Sequence, residues 1–200
     1  MVRREPMQSS WPAENILLGL LCERPMHGYE IAQVVQSDEA LRAIWRIERS
    51  EIYFLLGKLS KGGLIMERAA EQAGGPVRVI YEPTGAGRAQ FLEWLRTPEG
   101  KPRNLRTALL ARVYMALRHD PGIAVGLIDA QKRVLDEWLV REGQPPSENE
   151  VVAWVHRFRR AQVAATLEAL ADLHALALSR QQASADHGEH PDISQAGGKP

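Results

Sequence analysis

Residues 47–65 read IERSEIYFLLGKLSKGGLI, and this stretch decides the fold. Ile52, Leu55, Leu56 and Leu59 stand at i, i+3, i+4 and i+7, the spacing that gathers apolar side chains on one face of an α-helix. Ser50 is placed to cap that helix by accepting a bond from a free backbone N–H. Gly62-Gly63 stop it, because glycine reaches positive φ without steric cost, and Leu64 and Ile65 open an extended run. Arg46, Arg49, Tyr53, Lys58 and Lys61 flank the helix or lie off its apolar seam. A short helix with a buried seam and a basic outer surface has the shape and charge to enter a DNA major groove. An amphipathic helix with a merely solvated charged face has the same pattern, so the flanking segments must decide between them.

Working outward, 13–23 (AENILLGLLCE) reads as a helix with Ile16, Leu17, Leu20 and Leu21 buried. Residues 24–28 (RPMHG) read as a turn punctuated by proline and glycine. A second helix follows over 29–36, with Ile31, Val34 and Val35 apolar, and 37–45 is a connection with some helical pattern. Beyond the central helix, 64–70 and 77–81 are two short β-capable runs joined by Gln72-Ala73-Gly74-Gly75-Pro76, a hairpin with a glycine-rich tip. Thr84 is an N-cap for a helix to about Arg96 that carries Phe91, Leu92, Trp94 and Leu95. Three helical segments followed by a two-stranded wing is the order of a winged helix-turn-helix.

A break at 97–102 (TPEGKP) marks a domain boundary. Residues 105–118 are helical, and Asp120-Pro121 opens another helix to about Glu142, with Pro121 at the favoured first-turn position. Ser147 with Glu150 reads as a capping box for a long helix from 147 to about 180. The apolar residues of that helix, Trp154, Phe158, Val163, Leu167, Leu170, Leu173 and Leu176 among them, spread over more than one stripe. Contact on two sides is expected, the second with a partner subunit, without a strict heptad. The expected organisation is a mainly α fold with a small β-wing. Residues 13–96 form the winged helix-turn-helix domain, 103–180 a helical dimerisation and effector domain, and 1–12 and 181–200 flexible termini.

The formal net charge of the 200 residues is zero, so the chain is no general polyanion binder. Any basic contact surface has to be local. From Arg42 to Arg68 six cations stand against three carboxylates, the kind of local excess a DNA-contact surface needs. The single cysteine, Cys22, excludes an internal disulfide and fits a reducing compartment. It reads as a buried small hydrophobe. The amino terminus lacks an apolar signal core and the longest apolar run is too short to span a bilayer, so a cytoplasmic protein is expected, with no membrane partner. His27-Gly28-Tyr29 has no accompanying nucleophile, acid pair or oxyanion loop and reads as a turn histidine and a core tyrosine. His187 and His190 lack the further ligands of a metal site. No enzyme activity and no cofactor are expected.

Taken together, Leu17-Leu18-Gly19-Leu20-Leu21 with His27-Gly28-Tyr29-Glu30-Ile31, then Ser50, Ile52-Tyr53, Leu56, Leu59, Gly63-Leu64-Ile65, then Tyr81, Thr84 and Gly87-Arg88, resemble the PadR family of bacterial transcriptional regulators. The resemblance covers about 13–95. It implies a winged-helix repressor that binds a palindromic double-stranded operator as a homodimer and responds to a small apolar or aromatic effector. The sequence departs from the family's pattern at Glu51, where a small hydroxyl residue is common, and at Phe54, where proline is common. Glu51 suits the helix dipole but repels phosphates, and could instead accept from a cytosine amino group.

On this reading the DNA contacts are Arg46, Arg49, Ser50, Glu51, Tyr53, Lys58, Lys61, Arg68 and Arg78. Tyr53 donates to a phosphate, Arg49 bridges a guanine or holds a phosphate, and Arg68 and Arg78 reach the backbone or minor groove from the wing. Trp94, Trp138 and Trp154 are either core and interface anchors or the stacking walls of an effector site. The alternative reading, kept open by the zero net charge and Glu51, is a winged-helix protein-interaction module that does not bind DNA.

Overall fold

The computed structural model describes residues 12–70, 78–143 and 149–186. In chain order the elements are α1 (Pro12–Glu23), β1 (Met26–His27), α2 (Gly28–Ser37), α3 (Glu39–Ile44), α4 (Arg49–Lys61), β2 (Ile65–Ala70), β3 (Arg78–Pro83), α5 (Gly85–Arg96), α6 (Leu110–His119), α7 (Pro121–Glu142) and α8 (Glu150–Asp186). A 3₁₀ turn at Pro102–Asn104 and a π turn at Leu105–Leu109 precede α6. Among the described residues the fold is mainly α with one small antiparallel sheet, a winged helix followed by three further α-helices.

Helix α1 is the centre. Every residue from Ala13 to Leu21 is buried, as expected of a helix enclosed by neighbours rather than lying on a surface. It packs against α4, α5 and α6, and its leucines join Ile52, Leu56, Phe91, Leu95, Leu109 and Met115 in one apolar cluster that continues through α7 to Val163, Leu170 and Ala177 of α8. Cys22 lies at the end of α1, packed on this cluster. Burial pushes its thiol up to about 11, which keeps it protonated near neutral pH.

The sheet has the order β1-β3-β2. The hairpin arms pair from Ile65↔Pro83 to Ala70↔Arg78, and the glycine-rich tip lies outside the described residues. The third strand corrects the sequence reading of 24–28 as a plain turn: Met26 pairs with Tyr81 and His27 with Ile80. Two residues show no alternation, and only the presence of β3 makes them a strand. The 37–45 connection is likewise more regular than expected. Asp38 caps α3 by accepting from the Leu41 N–H at 2.9 Å.

Two helix starts differ from expectation. Ser50 does not cap α4: Glu48 is the N-cap, without a side-chain bond, and Ser50 is exposed in the first turn. Helix α8 begins at Glu150, capped by Asn149, whose side-chain oxygen accepts from the Val151 and Val152 N–H groups at 3.0 and 3.2 Å. Ser147, the expected cap, lies outside the described residues. At its other end α8 runs on to Asp186, so 181–186 are helical rather than flexible. Gln, Ala and Ser tolerate helix well enough for a long helix to propagate, and 187–200 lie outside the described residues, with His187 and His190 among them.

Thr84 caps α5 as expected. Its hydroxyl accepts from the Gly87 N–H at 3.1 Å and donates to the Gly63 carbonyl at 2.8 Å, which ties the start of α5 to the exit of α4. Gly63 there has φ +70, the left-handed conformation that ends the helix.

Two polar clusters hold the helical half against the winged helix. Arg118 of α6 donates through Nη2 to Glu23 at 2.8 Å and through Nη1 to Asp38 at 3.1 Å, and the Tyr114 hydroxyl also donates to Asp38. In the second, the Glu99 N–H donates to Gln131 Oε1 at 2.7 Å and Gln131 Nε2 donates back to the Glu99 carbonyl at 3.0 Å. Arg112 there donates to the Thr97 carbonyl at 2.5 Å.

Candidate nucleic-acid interface

The outer face of α4 follows from its seam. With Ile52, Leu55, Leu56 and Leu59 turned inward, a rotation of about 100° per residue puts Ser50, Phe54, Gly57 and Lys61 on the line diametrically opposite. Arg49 and Tyr53 lie on one flank, Glu51 and Lys58 on the other.

The Tyr53 flank is built together with α2 and the sheet. Tyr53 is 44% exposed and points away from the seam. Its ring lies so close to Gly28 that a Cβ there would come within 2.7 Å of it, which explains the glycine that opens α2. Tyr29 is not the core tyrosine expected from sequence. It is 58% exposed, and the Arg49 guanidinium lies over its ring, 5.1 Å from the centroid, a cation–π arrangement. His27, Tyr29, Tyr53, Val79 and Tyr81 line a groove of about 830 Å³ between α2, α4 and the wing. Burial raises the Tyr81 hydroxyl above its usual value, so it stays a donor.

The cations divide into engaged and available ones. Lys58 is an ion-pair partner of Glu14, at 2.5 Å, and Glu14 is buried in α1. Its position is set by the need to compensate a buried carboxylate. Arg68 pairs with Glu82 across the hairpin at 2.9 Å. Among the described residues, Arg46, Arg49 and Lys61 are exposed and form no ion pair, so their charges are available to a ligand. Arg78 is placed by its backbone alone, opposite Ala70 at the tip end of the hairpin. Glu51 is half-buried on the Lys58 flank.

Phe54 was not among the contact residues read from sequence. It is 71% exposed, the apolar member of the outermost line of α4. The seam spacing already assigned it to that face, since it stands two residues after Ile52 and one before Leu55.

The three tryptophans have different surroundings. Trp94 is buried, with Arg112 over its ring at 5.2 Å from the centroid. Trp138 is half-buried against the core. Trp154 is exposed and stacked on Phe158, centroids 5.5 Å apart. Among the described residues no group of three or more His, Cys, Asp or Glu is gathered to hold a metal ion, and no helix is long and apolar enough to cross a membrane.

The Lys58–Glu14 pair gives a direct test of this face. Lys58→Met leaves the Glu14 carboxylate buried without its partner and is expected to destabilise the fold by about 1–3 kcal/mol. Adding Glu14→Gln should recover most of the loss. Urea melts of both variants check this. An unchanged Lys58→Met midpoint would mean that Glu14 is hydrated and the pair inconsequential, as many exposed pairs are.

Residues 17–93 match the model of the transcriptional regulator PadR-like family. The chain is 27% identical over 96 residues to the probable transcriptional regulator Rv1176c of Mycobacterium tuberculosis, covering 48% of this chain and 50% of that protein. It is 28% identical over 98 residues to the negative transcriptional regulator PadR of Bacillus subtilis, covering 49% and 53%. The chain thus matches these curated relatives over about half their length. Among solved structures it is similar to Bacillus subtilis PadR in complex with operator DNA, with a TM-score of 0.42 and 20% identity over 82% of this chain and 98% of that one. It is also similar to smu.1604c from Streptococcus mutans, with a TM-score of 0.40 and 23% identity over 84% and 99%. Residues 17–93, which hold α2 to β3 entire and most of α1 and α5, thus carry the chain's likeness to the PadR-like family of transcriptional regulators.

Proposed function

We propose that this protein is a cytoplasmic DNA-binding transcriptional repressor that grips a palindromic operator as a homodimer, with α4 in the major groove and the wing beside it. The observation that carries the reading is the outer face of α4. Arg49, Ser50, Tyr53, Phe54 and Lys61 are exposed together on a helix whose opposite side is locked into the core. The names of the two curated relatives support regulation of transcription, and one of them supports repression. The exposed apolar residues of α8 support pairing of two chains. Trp154, open and stacked on Phe158, is the tryptophan best placed to meet a partner subunit or a flat effector, whereas Trp94 is committed to the core.

The test is binding to the protein's own promoter fragment over a salt series. Affinity should fall steeply as salt rises and displaced counterions are no longer a driving force. Tyr53→Phe removes one hydroxyl and should cost about 0.5–1.5 kcal/mol of affinity, equally for different sequences, because a phosphate carries no base identity. Arg49→Ala should cost about 1–3 kcal/mol and relax preference at one position per half-site. If both variants bind as the wild type does, α4 does not touch DNA and the protein-interaction reading replaces this one.

A further inference from the structure

We propose that Phe54 reads a thymine methyl group, an inference that rests on the DNA-binding reading above and names a base that α4 selects. On the line of α4 farthest from the core, Ser50 precedes Phe54 by one turn, and Gly57 and Lys61 follow it. The Phe54 ring is exposed at 71%, so it contributes nothing to the seam beneath. A Cβ built on Gly57 would meet nothing within 4 Å, so the helix presents a bare backbone shelf next to the ring. Arg46, Arg49 and Lys61 are exposed at or near this line and, among the described residues, form no ion pair, which suits an apolar contact made inside a polyanion rather than against a neutral surface.

The major groove offers one apolar group per base pair at most, the C5 methyl of thymine. An aromatic ring is among the side chains that contact it. Cytosine and uracil lack that methyl, so a ring at the centre of the groove-facing line discriminates against both without a hydrogen bond. The flat shelf at Gly57 lets the helix approach closely enough for the ring to reach the base edge. A tip carried by Glu51 or Lys58 could not substitute, because those residues lie on the flank and Lys58 is held by Glu14.

The experiment uses the full chain and the duplex that it selects from a random-sequence pool. Each thymine of that duplex is replaced in turn by uracil, which removes the methyl and keeps the base pair, and binding of wild type and Phe54→Ala is followed by fluorescence anisotropy. One thymine per half-site should be found where the replacement weakens wild-type binding about fourfold, the effect of losing one buried methyl-sized group. The same replacement should leave Phe54→Ala unchanged. On the unmodified duplex Phe54→Ala should show the preference among bases at that position flattened, with its thermal midpoint preserved. Wild-type binding that is indifferent to every uracil overturns the inference and leaves the ring for a protein partner. So does an equal uracil penalty in Phe54→Ala, and so does a variant that fails to fold. Selection of no duplex at all overturns the DNA-binding reading and the inference with it.

Discussion

Gly87→Ala is expected to destabilise the winged helix by about 3 kcal/mol or more, at the upper end of what added bulk costs in a packed site. A Cβ at this position would lie 2.0 Å from the Leu64 carbonyl oxygen and 3.2 Å from a Leu18 methyl. The first obstacle is backbone and cannot turn aside as a side chain would. That carbonyl is also engaged, accepting from the Thr84 N–H at 3.0 Å, so moving it disturbs the junction where α4 passes into β2. Gly85, two residues earlier in the same helical turn, has nothing within 4 Å of its would-be Cβ and no positive φ. Gly85→Ala should therefore be neutral or stabilising by about 0.4–1 kcal/mol, through the lower entropy of the unfolded chain. Denaturant melts of the two variants should give opposite signs. If Gly87→Ala is as harmless as Gly85→Ala, α5 does not lie against the Leu64 carbonyl as described.

Replacing Trp154 and Phe158 together by serine is expected to convert the homodimer proposed here into a monomer. In α8 the buried seam is Val163, Leu170 and Ala177, and Val151, Trp154, Phe158, Ala165, Ala169 and Leu176 follow a second line about a third of a turn away. All six are exposed in the single chain. Trp154 and Phe158 stack with their rings 15° from parallel, a rigid aromatic pair of the kind that dominates interfaces. A twofold dimer uses each residue twice, and at about 2 kcal/mol for each truncated anchor association should weaken by several orders of magnitude. Light scattering at micromolar concentration should report a dimer for the wild type and a monomer for the double variant, with the helical circular dichroism of the two alike. Loss of cooperative operator binding should accompany the monomer, since a palindrome needs both half-sites engaged. A wild-type monomer would mean that this stripe has another use.

Much of this molecule was legible in short-range pattern. The Ile52–Leu59 seam, the Thr84 cap, the glycine stop after Lys61 and the two arms of the hairpin all depend on residues within a few positions of one another. There the periodicity of the backbone and the bonding of its end groups leave few alternatives. The same local rules placed Tyr53 and Arg49 off the seam.

What only the tertiary structure decided involves partners distant along the chain. Lys58 meets Glu14 across 44 residues, which turns a candidate phosphate contact into the counter-charge of a buried carboxylate. Arg118 reaches Glu23 across 95. Met26 and His27 become a strand only because β3 is beside them, and Tyr29, apolar enough to be read as core, is turned outward under Arg49. An amphipathic pattern states which face of a helix is buried and is silent on what covers the other. Long-range packing therefore decides which outward cations are spent on the protein itself and which stay available to a ligand.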